Sequence, residues 1–359
     1  MDVAVIGLGL IGGSVLRALA STGHVVLGYD ADPATRATAR TAAAQAPPAQ
    51  RWQIARTVRD AVATADLVVI AVPLPAVADV LDELSAAGYT GLLTDVTSVK
   101  EPVRLLVHEH LGNGRRPDER PTDEHPTDER PGDERPGDGT DRRAGFVGGH
   151  PMAGRETSGF GAADPALFTG CAWVLCLEPE ETSVADWLEL AALVTTLGAR
   201  VVPAVAAEHD RAVAAVSHVP HLLAAAIAAV AADDPLAGTL AAGSFRDGTR
   251  VAATRPDLVA AMCGGNAVAV GPALDAVRDA LEQARAAVGS ADPIGALRSW
   301  LAPGSAARRA WPPRAGAPVE LPARPDALLR LGRSGGWVTR VSGDRRTVTG
   351  VRPAPPDPA

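Results

Sequence analysis

The chain has 359 residues, more than one hydrophobic core usually holds, and 47% of them are hydrophobic, enough to bury two domains. A formal net charge of −8 argues against a nucleic-acid partner, and it means that an anionic ligand must be held by local cations. Three cysteines with no CxxC pair and no ligand cluster exclude a disulfide framework and give no metal site; they fit a reducing cytoplasm.

In chain order, residues 2–7 form an apolar run entering a glycine turn, residues 14–21 are helical, and residues 25–30 form a second strand. The apolar stretch 3–10 is short and broken by glycine, so it reads as a strand and not as a signal peptide. Asp32-Pro33 opens an alanine-rich helix; residues 67–72 make a buried strand that stops at Pro73. A helix over 77–87, a strand over 91–95 and a helix over 102–110 follow. This strand–helix alternation predicts an α/β fold with a doubly wound parallel sheet.

Residues 115–143 change character. They repeat an imperfect proline-led pentad with prolines at 121, 126, 131 and 136, and no apolar side chain larger than proline. Such a segment cannot offset its ordering entropy and is expected to be a disordered insertion. A strand resumes over 145–149 and runs into His150, and 172–177 is another. From Ala185 the pattern is helical almost to Leu301; a Pro/Arg-rich stretch then leads to a small β-α-β-β appendage over 319–348. The expected domains are therefore 1–180, 181–301 (helical) and 302–359 (linker and appendage).

Residues 212–232 contain no Asp, Glu, Lys or Arg, about the length of a membrane span. Ser217, His218, Pro220, His221 and the many alanines favour a buried helix at a core or dimer interface instead, so no membrane partner is expected and a twofold homodimer is.

Gly7-Leu8-Gly9-Leu10-Ile11-Gly12 fits the G-x-G-x-x-G pattern between a strand and a helix. There the glycines permit a tight turn and close approach of a pyrophosphate to the helix N-terminus. Asp30 ends the second strand where it can accept bonds from ribose hydroxyls, which favours NAD over NADP; the bland reading is a turn residue ahead of Pro33. Arg36 is a potential phosphate partner that leaves some NADP use open. Val72 and Pro73 end a strand where such strands meet the cofactor. The first domain is thus read as a Rossmann domain with Gly7, Gly9, Leu10, Ile11, Gly12, Asp30, Val72 and Pro73 at the cofactor.

Of 34 basic residues other than histidine one is a lysine, Lys100, in Asp95-Val96-Thr97-Ser98-Val99-Lys100 after a strand. Its retention suggests that a compact ammonium is needed near cofactor or substrate. Three more clusters follow: His150-Pro151-Met152-Ala153-Gly154-Arg155-Glu156, Ser217-His218-Val219-Pro220-His221 and Phe245-Arg246-Asp247-Gly248-Thr249-Arg250.

Taken in this order, with the glycine motif continuing into Gly13-Ser14, these motifs resemble those of the prephenate and arogenate dehydrogenases, over roughly residues 1–114 and 144–300. Thr97 departs from the glycine that many members carry. The resemblance implies an NAD-dependent oxidative decarboxylation of prephenate to 4-hydroxyphenylpyruvate, in tyrosine biosynthesis. It implies His150 as the general base, and a histidine suits that task by its pKa. It also implies Ser98 as a hydrogen-bond partner of the substrate hydroxyl, with helix capping as the bland role. Arg250 is the expected carboxylate clamp and His221 and Ser217 line the pocket. His218 is as much a core residue as a site residue. Glu156 and Asp247 are expected to gate Arg250, and Lys100 to lie near the ligands. Arogenate as substrate and a noncatalytic NAD-binding sensor are the alternatives. The 3-hydroxyacid dehydrogenases share the two-domain plan but use a lysine in the helical part, and no lysine follows Lys100 here.

Overall fold

The computed structural model describes residues 1–112, 144–155 and 157–354; the expected insertion over 115–143 lies outside the described residues. Chain order begins β1 (Asp2–Ile6), α1 (Leu10–Ser21), β2 (Val25–Tyr29), α2 (Pro33–Gln45), β3 (Gln53–Ile54), α3 (Val58–Val62), β4 (Leu67–Ile70), α4 (Val77–Ala87), β5 (Leu92–Asp95), α5 (Glu101–Leu111) and β6 (Gly145–Val147). These strands form one parallel sheet of order β3-β2-β1-β4-β5-β6. The order reverses between β1 and β4, the switch point at which open α/β sheets leave a crevice at their carboxyl ends. β1 and β4 are continuous runs of buried aliphatic residues because helices cover both faces. One face packs Ala4, Ile6, Val58, Leu81 and Val103; the other packs Val3, Val5, Leu16 and Leu19.

A second, six-stranded sheet follows. β7 (Gly149–Pro151) is antiparallel to β8 (Ala172–Cys176), and β8 is parallel to β9 (Arg200–Ala204) across α6 (Val184–Thr196). The α/β part therefore runs to Ala204 and not to 180. The helical pattern expected from Ala185 is interrupted by β9, whose five residues lie between two helices and include Pro203.

The helical part begins with α7 (Ala206–Val213). One π-turn, Ala214–His218, carries it into α8 (Val219–Ala232). The wide turn precedes Pro220, which has no N–H to give. Then come α9 (Pro235–Leu240), α10 (Gly243–Thr249), α11 (Pro256–Gly265), α12 (Ala267–Val288) and α13 (Pro293–Arg309). The last helix passes the expected stop at Leu301 and takes Pro303 inside it.

The C-terminal β10 (Val319–Pro322), α14 (Pro325–Arg333), β11 (Trp337–Val341) and β12 (Thr347–Val351) have the expected β-α-β-β order. They are not a separate appendage. β11 pairs with β9 at Val338↔Val201, Arg200 lies 5.0 Å over the Trp337 ring, and Leu328, Leu331, Val338 and Val348 are buried in the core that holds Trp187 and Leu175. This long-range pairing leaves no local sequence signal.

Each of those four side chains contributes about 1.5–3 kcal/mol on burial. Ending the chain at residue 317 is expected to lower the melting temperature by about 10 °C or more, or to prevent soluble expression. An unchanged melting temperature in calorimetry would mean that the unit is detachable.

Candidate active site

The glycine loop joins β1 to α1 at the switch point. Gly7 adopts φ +96°, and a Cβ there would lie 2.5 Å from the Ala71 carbonyl oxygen and 2.9 Å from Val72, so the loop is pressed onto the end of β4. At Gly9 a Cβ would meet nothing within 4 Å, which leaves an open cradle. Gly9 caps α1 without a side chain, so the half-buried Leu10 and Ile11 and the buried Gly12 offer first-turn N–H groups to an anion. Asp30 accepts from Leu8 N–H (2.7 Å) and Asp32 N–H (2.9 Å), one on each oxygen. A carboxylate oxygen has two lone pairs, so each retains one for a ribose hydroxyl. Arg36 Nη1 donates to the carbonyls of Asp30 and Ala31 at 2.6 and 3.0 Å, beside the same position. Val72 is half-buried and Pro73 exposed at the end of β4. These residues fit a dinucleotide.

The end of β5 carries the second half of the site. Asp95 is fully buried. Its Oδ1 accepts from Gly149 N–H (3.1 Å), and its Oδ2 accepts from Thr97 N–H (3.0 Å) and pairs with Lys100 Nζ. Lys100, 1% exposed, also donates to the Gly149 carbonyl (2.6 Å) and to Thr97 Oγ1 (3.1 Å). All three ammonium donors are thereby spent inside the protein. The expectation that Lys100 meets cofactor or substrate is corrected: it is a strut between β5 and β7. Its three acceptors converge on one point, which suits a compact ammonium better than a planar guanidinium. Thr97 supplies one of them.

His150 follows directly on the clamped Gly149 and is buried. Its Nδ1 is 2.8 Å from His209 Nε2, and His209 Nδ1 is 2.7 Å from Asp210 Oδ1. Asp210 also accepts the backbone N–H groups of Lys100 (2.8 Å) and Glu101 (2.9 Å) at the start of α5. Burial holds His150 well below the usual histidine pKa, reinforced by His209, Lys100 and His218. Burial lowers His209 as well, against the opposing effect of the hydrogen bond it donates to Asp210. For Asp210 burial alone would raise the pKa; the His209 ring and the two backbone N–H groups outweigh it and lower it. A neutral imidazole and an ionised carboxylate are thus favoured at neutral pH.

His209 and Asp210 did not stand out in the sequence. Glu208-His209-Asp210 reads as the polar start of a surface helix, and its partners are 59 and about 110 residues away. The signal was their spacing: Asp210, Val213, Ala214 and His218 are all buried along one helix.

The other expected residues sit as follows. Ser98 is half-buried beside this network, and its hydroxyl makes no hydrogen bond among the described residues; α5 begins at Glu101, so Ser98 does not cap it. His218 is fully buried and pushed down to about 4, chiefly by burial; its Nδ1 meets Asn266 Nδ2 at 3.1 Å. His221 is half-buried and its Nδ1 donates to the Ser217 carbonyl (2.8 Å), leaving Nε2 for a ligand. Arg250 is exposed and opens the turn Arg250–Ala253, packed on α8. Asp247 pairs with Arg246 at 3.6 Å, both 79% exposed, instead of facing inward as a gate. Glu156 lies outside the described residues. Among the described residues no cluster of three or more His, Cys, Asp or Glu side chains could hold a metal ion.

A glycine cradle at the switch point, a buried histidine past the end of β5 on the same edge of the sheet and a following helical unit define a two-domain dinucleotide-binding protein of the dehydrogenase type. Residues 205–302 match the family model described as the prephenate dehydrogenase dimerization domain, and residues 138–203 match the nucleotide-binding domain of the same family. Residues 2–98 match a model described as NADP oxidoreductase, coenzyme F420-dependent. A solved structure from Corynebacterium glutamicum, provisionally assigned as a prephenate dehydrogenase, is 31% identical with a TM-score of 0.71; the match covers 87% of this chain and 90% of that one. Synechocystis arogenate dehydrogenase is 25% identical with a TM-score of 0.67, over 87% of this chain and all of that one. The prephenate dehydrogenase of Lactococcus lactis subsp. cremoris is 28% identical over 258 residues, 70% of this chain. That relative is longer, and the chain spans 60% of its length. The chain belongs to the prephenate dehydrogenase family.

Lys100→Met leaves Asp95 buried without its counter-ion. It is expected to destabilise the protein by about 3–5 kcal/mol in denaturant titration. An unchanged midpoint, with only the ligand affinities weakened, would restore the ligand-contact reading.

Proposed function

We propose that this chain is a prephenate dehydrogenase that converts prephenate and NAD to 4-hydroxyphenylpyruvate, carbon dioxide and NADH. The observation that carries the reading is His150: a neutral, buried imidazole clamped past the end of β5, on the same edge of the sheet as the open dinucleotide cradle. Asp30 supports NAD, since its carboxylate would repel the 2′-phosphate of NADP.

Bound NAD supplies the hydride acceptor. His150 Nε2 accepts the proton of the substrate's ring hydroxyl as the hydride leaves the same carbon. The carbon–carbon bond to the ring carboxylate then breaks, and its electron pair completes the aromatic ring. Ser98, with an uncommitted hydroxyl, orients the substrate oxygen. Arg250 is assigned to a substrate carboxylate, which a guanidinium can hold through two parallel bonds, and His221 to the side chain.

Steady-state rates should be compared for prephenate and arogenate, each with NAD and with NADP. Prephenate with NAD is expected to give the highest kcat/KM. A higher value with arogenate would overturn the substrate, an equal one with NADP would overturn the role of Asp30, and no turnover would leave a noncatalytic sensor. His150→Asn is expected to lower kcat by about 10²–10⁴-fold. In the wild type the acid limb of kcat/KM should lie below the ordinary histidine pKa, because the free enzyme resists protonation at His150. Retained activity in His150→Asn, or the same acid limb in it, would exclude this base.

The helical part supports a homodimer. Its own buried core is Ala214, Val219 and Val270, while Val216, Ile227, Val230, Leu236, Leu240 and Ile294 are half or more exposed. The helix Ala206–Ala232 is long and apolar enough to cross a membrane. Its first turns are docked on α5 through Asp210, which favours a protein interface over a lipid one. The three cysteines are unpaired, in keeping with a cytoplasmic protein. Light scattering at micromolar concentration should give twice the chain mass of 36.7 kDa, and a monomer would refute the dimer.

A further inference from the structure

We infer that His209 and Asp210, contributed by the helical unit, are positioning residues that lock His150 in the Nδ1–H tautomer and leave its Nε2 lone pair as the base. The inference rests on the proposed role of His150 and adds two residues to it.

Asp210 Oδ1 accepts the Lys100 N–H and Oδ2 the Glu101 N–H, at the N-terminus of an eleven-residue helix. Those donors and the helix end favour the ionised carboxylate, which can only accept. His209 Nδ1, 2.7 Å from Oδ1, is therefore the donor. A neutral His209 protonated on Nδ1 has a lone pair on Nε2. That nitrogen lies 2.8 Å from His150 Nδ1, so His150 donates, and its own lone pair falls on Nε2. The two rings meet edge to face at 75°, with centroids 5.0 Å apart, which places the donor nitrogen of one ring against the acceptor nitrogen of the other.

All three side chains are at least nine-tenths buried, so no bulk water competes for these bonds. The charged and titratable groups around the pair are Lys100 and Asp95 from the first sheet and its loop, and Asp210 and His218 from the helix. The Lys100 ammonium opposes a second positive charge here, so the relay holds both rings neutral and does not carry charge outward. Asn266 fixes the far end by donating to the Asp210 carbonyl (2.8 Å) and meeting His218. The base thus comes from one structural unit and its aim from the other.

Histidine-labelled protein and 15N–1H correlation spectra read the tautomer directly, without substrate. The wild type at neutral pH is expected to show His150 protonated on Nδ1 alone. In His209→Gln the amide can donate to Asp210 and accept from His150, so the tautomer and most of kcat should persist. In His209→Phe the acceptor is gone; His150 should shift toward Nε2–H and kcat should fall by about 10²–10⁴-fold, as for a base in the wrong tautomer. The KM for NAD should stay within about threefold, and adding His209→Phe to His150→Asn should cost nothing further, because the two act as one unit. If the Phe variant does not fold, Asp210→Ala takes its place: it removes the acceptor of His209 Nδ1–H, and the same tautomer shift is expected. An Nε2–H or doubly protonated His150 in the wild type, full kcat in His209→Phe, or additive losses in the double variant would overturn the inference. An Nδ1–H ring in a protein that turns over no prephenate would support the relay and overturn the reaction instead.

Discussion

The buried ion pair of Lys100 and Asp95 is the contact on which the site's geometry depends. It joins the last residue of β5 to the first of β7, strands of two different sheets, through a carboxylate that takes the Gly149 N–H and an ammonium that takes the Gly149 carbonyl. A peptide held at both its polar groups has little freedom to rotate, and His150 is the next residue. An isolated charge at 0–1% exposure would be strongly unfavourable. The pair is tolerated because each oxygen of Asp95 and each donor of Lys100 has a partner. Its value is positional: it sets where an imidazole leaves the sheet.

The same residues tie the two structural units together. The backbone N–H groups of Lys100 and Glu101 end on Asp210 of α7, so the strut that fixes Gly149 also receives the helical part. That part has a small core of its own and carries apolar side chains outward, the feature on which the proposed homodimer rests. A chain that builds its site at such a junction couples assembly to the orientation of its proposed base. The C-terminal strands reinforce the other side, extending the second sheet beyond β9 and closing the core over Trp187.

Much of this was legible in the sequence where the signal is local. The glycine loop, the Asp30 strand end and the strand before Ser98 are short patterns with a fixed structural consequence, and they appear where expected; the single strand expected over 145–149 is instead split at Gly148 into β6 and β7, which belong to different sheets, with His150 inside β7. What the sequence hid is what long-range contact decides. Lys100 read as a ligand contact because a lone lysine attracts attention, whereas its three acceptors come from β5, the loop after it and β7. β9 was absorbed into a helical reading, and the C-terminal unit seemed detachable because one pairing, Val338 with Val201, spans more than a hundred residues. His209 and Asp210 passed as the polar entry of a helix, since nothing within ten residues tells of His150.

Everything proposed for the site requires this network to aim His150 Nε2 at the hydroxyl of a substrate bound alongside the dinucleotide. A crystal structure of the protein with NAD and a 4-hydroxyphenyl carboxylate tests it most directly. The phenol oxygen is expected within hydrogen-bond distance of His150 Nε2 and of the Ser98 hydroxyl, with the pyrophosphate over Gly9 and Lys100 still enclosed. A phenol oxygen held elsewhere, with His150 turned away or Lys100 drawn to the ligand, would contradict it.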